Sequence, residues 1–135
     1  MQSDESLLSP SADAITAVID RKFIDSIISL QHPGNPDLLE RIIDKYINDF
    51  GCLCSGMLLA LDEGDINSIR LMAHSLKSGS AILGLTSLAE SCKKLEALAR
   101  NNSTDGATEL LVQMKKDFVE GQKALNRFKS RNHEA

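Results

Sequence analysis

The chain has 135 residues, of which 42% are apolar and 25% charged, with a formal net charge of -4. That length suits one hydrophobic core and excludes several catalytic domains within it. With no Trp, one Tyr, four Phe and acids in excess over bases, the chain lacks the stacking surfaces and the positive field that a nucleic-acid binder needs.

Residues 1–14, MQSDESLLSPSADA, are polar and acidic, and read as a flexible linker without a secretory apolar core. No run of about 18 apolar residues follows, so no direct membrane insertion is expected. Apolar residues then recur at helical spacing over 15–130, the expected folded domain, with 131–135 as a C-terminal tail. A first helix is predicted over 15–31, carried by Ile19, Phe23, Ile27 and Leu30, and broken by Gln31-His32-Pro33-Gly34. Asn35 before Pro36 is a plausible cap for a second helix over 36–62, with Leu39, Ile42, Tyr46, Phe50, Leu53, Met57 and Ala60 on its apolar stripe.

Glu63-Gly64 ends that helix, and Asp65 is placed to cap a third that stops at Gly84. A fourth opens at Leu85-Thr86-Ser87, where Ser87 and Glu90 have capping-box spacing, and runs along Leu88, Cys92, Leu95 and Ala99. A polar cluster from Asn101 to Gly106 precedes the last helix, expected over 105–129 through Leu111, Met114, Phe118, Leu125 and Phe128. Short connections make successive helices antiparallel. The expected fold is therefore all-α, an antiparallel up-down four-helix bundle with a short additional N-terminal helix. Its stripes can be buried within one chain, so a monomer is expected.

Three cysteines cannot all pair with one another, and the leader lacks a secretory pattern, which points to a reducing, cytoplasmic setting. Cys52 and Cys54 are spaced to face different sides of a helix, and Cys92 lies on an apolar stripe, so no metal site is expected from them. Tyr46 and Phe50 are assigned to packing for the same reason as Cys92.

The third helix carries the chemistry. Its core stripe is Ile66, Ile69, Ala73, Leu76, Ser80 and Leu83. At about 100° per residue, His74 falls roughly 150° from the centre of that stripe, on the exposed face. Asn67, Arg70, Leu71, Lys77, Ser78 and Ala81 surround it. Arg70 one turn before and Lys77 one turn after are expected to disfavour the protonated ring and to attract an anion. The rest of the face is small or mildly apolar, as suits a closely approaching partner. A neutral exposed imidazole is a nucleophile able to take a phosphoryl group, which Lys or Arg would steady. An exposed helical His is ordinarily only a surface residue, and metal ligation is a further reading, although His32 and His133 lie in a turn and in the tail. Ser80, within the stripe, reads as a satisfied helical hydroxyl rather than a catalyst.

The stretch Ala73-His74-Ser75-Leu76-Lys77-Ser78-Gly79-Ser80, with Gly84 after it, Leu88, Cys92 and Leu95-Glu96 downstream, and Asp62-Glu63-Gly64-Asp65 upstream, resembles the histidine-containing phosphotransfer (HPt) domains of multistep phosphorelays. The resemblance spans about residues 20–128. It implies that His74 is the phosphoacceptor, on Nε2, and that Lys77 supports the phosphoryl group, with Asn67, Arg70, Leu71, Ser78 and Ala81 on the partner-binding face. Ser78 stands where a Gly is frequent, and its hydroxyl is expected near the phosphate. The implied partners are response-regulator receiver domains, that of a hybrid sensor kinase among them, which exchange phosphate between aspartate and His74. No P-loop or Gly-rich nucleotide loop is present, so no autonomous kinase or ATPase activity and no cofactor are expected, and magnesium belongs to the receiver. The alternative is a helical interaction module that binds a receiver-like partner without accepting phosphate.

Overall fold

The computed structural model describes residues 19–134, with side chains to Lys129, and every regular element among them is a helix. The linker assigned to residues 1–14 and the first residues of the first predicted helix lie outside this range. We number the helices α1 (Arg21–Ser29), α2 (Leu38–Glu63), α3 (Ile66–Ile82), α4 (Thr86–Arg100) and α5 (Ala107–Glu134). Helix α2 packs on α3, α3 on α4, α4 on α5 and α5 back on α2, which closes the four-helix bundle, while α1 lies against α2. The last helix continues past the predicted 129 to Glu134. No helix among the described residues is long and apolar enough to cross a membrane.

The core is aliphatic, with Leu39, Ile43 and Met57 of α2, Ile69 and Leu76 of α3, Leu88 and Leu95 of α4, and Leu111 and Leu125 of α5 all buried. The expected stripes need correction in two helices. In α1, which Asp20 caps, the buried residues are Ile24 and Ile27, whereas Phe23 and Leu30 are exposed, because packing on α2 chooses between adjacent apolar residues such as Phe23 and Ile24. In α2 Ile43 and Cys54 occupy the centre of the stripe, and the expected Ile42 and Leu53 pack at its flanks. Phe118 of α5 is likewise partly buried, and stacks on Phe50 with ring centroids 3.8 Å apart.

Two of the expected caps are also replaced. Asn35 does not cap α2: its side chain accepts from Arg41, and the orphan amide of Leu39 donates to Gln31 Oε1 at 3.0 Å. Helix α4 starts two residues earlier than the Ser87–Glu90 capping box requires, with buried Leu85 at the N-cap and no side-chain cap. Asp65 does cap α3, accepting from the Ser68 amide at 3.2 Å and the Ser68 hydroxyl at 2.7 Å. Both bonds, the hydroxyl foremost, hold the Asp65 carboxyl below its ordinary range.

Gly84 is the junction of the fold. Its φ of +75° is the left-handed conformation that ends α3, and a Cβ there would lie 2.4 Å from the Asp20 carbonyl oxygen. The close approach lets the Asp20 amide donate to the Gly84 carbonyl at 2.7 Å, which ties the entry of α1 to the α3–α4 turn. The resulting short turn brings α4 alongside the His74 helix.

Candidate functional site

On the inner side of α3, Tyr46 of α2 meets Ser80 with an oxygen separation of 2.8 Å, and Ser80 donates to the Leu76 carbonyl at 2.8 Å. The single Ser80 proton is thus committed to the backbone, so Tyr46 is the donor in the pair. Burial pushes the Tyr46 hydroxyl well above the ordinary tyrosine range, and raises the Cys92 thiol to about 12. Neither group is a nucleophile at neutral pH. They fix the back of α3 and so the direction of its outer face.

On that outer face the His74 side chain is 58% exposed. Its Nδ1 lies 2.9 Å from Oε2 of Glu96, a residue of α4 that is only 2% exposed. The same carboxylate accepts from Lys77 Nζ at 2.6 Å through Oε1 and from Arg100 at 2.8 Å through Oε2. Three donors on one buried carboxylate offset the desolvation that would otherwise drive it neutral. The Lys77 bond is the largest influence, and with that of His74 it outweighs burial and holds the Glu96 carboxyl below its usual range.

An ionised carboxylate only accepts, so the Nδ1 that meets it carries the proton. In the neutral ring the lone pair then falls on the other nitrogen, Nε2, turned away from the carboxylate. The contact fixes the ring plane against a buried charge.

The expected site residues fall into three places. His74 and Lys77 converge on Glu96, which differs from two cations flanking a lone imidazole: Lys77 is turned to the carboxylate, and Arg70 donates to Asn67 Oδ1 at 2.9 Å, one turn away. Leu71, Ser78 and Ala81 are exposed on the same face, joined by Ile82. Ser78 does not direct its hydroxyl outward toward a phosphate; it donates to the His74 carbonyl at 3.2 Å, the nearest acceptor one turn back.

Glu96 and Arg100 complete the constellation without having been assigned a role from sequence. The signal was an acidic residue on the inner side of α4, four residues after Cys92 and one after Leu95, where its neighbours Cys92, Leu95 and Ala99 are all buried. An unpaired acid is not stable there, so a basic partner on the facing helix was implied. Among the described residues, no group of three or more His, Cys, Asp or Glu is arranged to hold a metal ion.

The family model for the Hpt domain matches residues 33–124. The chain is 24% identical over 93 residues to multistep phosphorelay regulator 1 of Schizosaccharomyces pombe, a match covering 69% of this chain and 32% of that protein, so the chain spans about a third of that relative. It is 20% identical over 106 residues to histidine-containing phosphotransfer protein 1 of Arabidopsis thaliana, covering 77% of this chain and 68% of the other. The fold matches the crystal structure of histidine-containing phosphotransfer protein B from Pseudomonas aeruginosa PAO1 with a TM-score of 0.72 and 27% identity, over 84% of this chain and 96% of that one.

Proposed function

Because the chain belongs to the Hpt domain family, we propose that it is a phosphorelay intermediate, with His74 taking a phosphoryl group from the aspartate of one receiver domain and passing it to the aspartate of another. The observation that carries this reading is the exposed His74 ring held through Nδ1 by buried Glu96, with Nε2 turned away from the carboxylate.

Receiver docking would place the aspartyl phosphate over Nε2. The Nε2 lone pair attacks phosphorus in line, an N–P bond forms, and the P–O bond to the aspartate breaks, returning a carboxylate to the receiver. Nδ1 keeps its proton throughout. The phosphorylated ring is thereby an imidazolium, whose positive charge faces the Glu96 carboxylate, while Lys77, on the same carboxylate, adds positive charge beside the phosphoryl group. Both species are high in energy, so the transfer runs in either direction and needs mainly positioning and charge stabilisation. A magnesium ion bound by the receiver would supply the charge neutralisation that phosphoryl transfer needs, since this chain brings only His74, Lys77 and Glu96 to the reaction.

The partners in this reading are receiver domains, that of a hybrid sensor kinase among them, and the setting is the cytoplasm. A monomer suffices, because α2, α3, α4 and α5 close on one another. The test is transfer of labelled phosphate from phosphorylated receivers to the wild type and to His74→Gln. Acid-labile, alkali-stable label on the wild type alone is expected. Receiver binding without label on the wild type would instead return the protein to a binding module.

A further inference from the structure

Beside the phosphoacceptor, the start of α3 and the end of α4 enclose a cleft of about 220 Å³, lined by Ile66, Asn67, Arg70, Ala99, Arg100 and Asn102. Two guanidinium groups from different helices line it. Arg70 is anchored through one nitrogen to Asn67 Oδ1 at 2.9 Å, and Arg100 through one nitrogen to Glu96 Oε2 at 2.8 Å. A guanidinium has five N–H donors, so a single anchor fixes each group and leaves most of its donors for a ligand. Asn102, held at the rim in a left-handed turn with φ 58° and its amide on the Ala99 carbonyl, adds a further side-chain amide.

The chemistry of this lining selects an oxyanion, and its planar forks match a carboxylate. The space exceeds what a bare carboxylate fills, and Ile66 and Ala99 give methylene groups an apolar surface to rest on. Although the chain carries a net charge of -4, no carboxylate is among the residues that line the cleft, and the Glu96 carboxylate nearby is shared between Lys77 and Arg100. Arg70 is one helical turn from His74, roughly 6 Å along the axis, so a protein docked over the imidazole also covers the cleft.

Building on the phosphotransfer reading, we propose that this cleft is a socket for an Asp or Glu side chain on the docking face of the receiver, and that the Arg70–Arg100 pair selects receivers carrying that carboxylate. The phosphoryl site would then fix the position of the reacting atoms, and the socket would fix which partner is accepted.

The experiment titrates the full chain with a receiver chosen because it binds the wild type, and compares Arg70→Ala, Arg70→Lys and Arg70→Glu. Arg70→Ala is expected to weaken Kd about tenfold and Arg70→Glu about a hundredfold in low salt, with the difference shrinking at high ionic strength. Arg70→Lys is expected to restore part of the loss, since it keeps the charge and not the fork. Reversing one acidic residue on the receiver to Arg is expected to recover binding to Arg70→Glu. Wild-type affinity in Arg70→Glu overturns the proposal. So does competition by millimolar inorganic phosphate combined with no response to any receiver charge reversal, which would make the cleft a site for free oxyanions. Label transfer is read separately: a receiver that binds the wild type yet never labels it overturns the phosphotransfer reading and leaves the affinity comparison intact.

Discussion

Glu96 concentrates the chemistry of the site in one side chain, since a single buried carboxylate orients His74, gathers Lys77 and holds Arg100. Replacing it separates orientation from charge. Glu96→Gln keeps an oxygen for Nδ1–H and loses the charge that balances the phosphorylated ring; Glu96→Ala loses both. Transfer to His74 is expected to fall about tenfold in Glu96→Gln and further in Glu96→Ala, with tenfold corresponding to about 1.4 kcal/mol in the barrier, as measured by single-turnover labelling. Acid stability follows from the same carboxyl. Its folded-state affinity for protons is depressed, so as pH falls the unfolded chain takes up the proton first. The stabilisation is fully present above the ordinary glutamate range, about 4.3, and is lost as pH drops through the lower folded-state value. Urea unfolding between pH 6 and pH 3 is expected to show a shallower acid loss in Glu96→Gln than in the wild type. An equal loss in both would remove Glu96 from the account. Asp65, also depressed by its Ser68 bonds, contributes acid sensitivity of the same sign in both proteins.

At the scale of helices, the α3–α4 turn decides whether Glu96 arrives beside His74 at all. Gly84→Ala would place a Cβ in left-handed backbone and 2.4 Å from the Asp20 carbonyl oxygen, so strain and a backbone clash act together. The expected loss is about 2–3 kcal/mol, read as a lower urea midpoint with little change in slope. An unchanged midpoint would mean that the junction relaxes freely. The role of Gly84 as a helix stop was legible in the sequence, as were the helical segments and the outward face of His74, because each follows from periodicity or turn chemistry within one segment. The Glu96–His74 pairing was not, since it depends on how α4 is rotated and shifted against α3, and the period of either helix alone does not determine that. The α1 and α2 stripes were displaced for a related reason: neighbouring apolar residues such as Ile42 and Ile43 both fit helical spacing, and packing against other helices chooses between them. The same limit explains Arg70, whose place on the correct face was readable although its Asn67 anchor and its cleft with Arg100 were not.

For the molecule as a whole, the bundle separates the parts that hold it together from the parts that react. Phe50 of α2 and Phe118 of α5 stack with an interplanar angle of 6°, and Tyr46 joins them at centroid distances of 6.4 and 6.1 Å. This aromatic cluster ties the first and last helices of the four-membered ring, on elements that contribute nothing to the His74, Lys77, Glu96 and Arg100 group. Removing the ring in Phe118→Ala strips apolar contact from a partly buried position, so the cost should lie below that of a fully enclosed phenylalanine, at about 2–3 kcal/mol. Because the four helices pack as one closed ring, the loss is expected as a single cooperative shift of the urea midpoint rather than as local fraying of α5. Once corrected for the folded fraction, the rate of phosphoryl transfer should remain within about twofold of wild type, since neither the Nδ1–Glu96 bond nor the outer face of α3 involves Phe118. A large fall in that corrected rate would show that packing between α2 and α5 sets the position of the active helix, and would place Tyr46, which bridges the aromatic cluster and Ser80, as the connection between them.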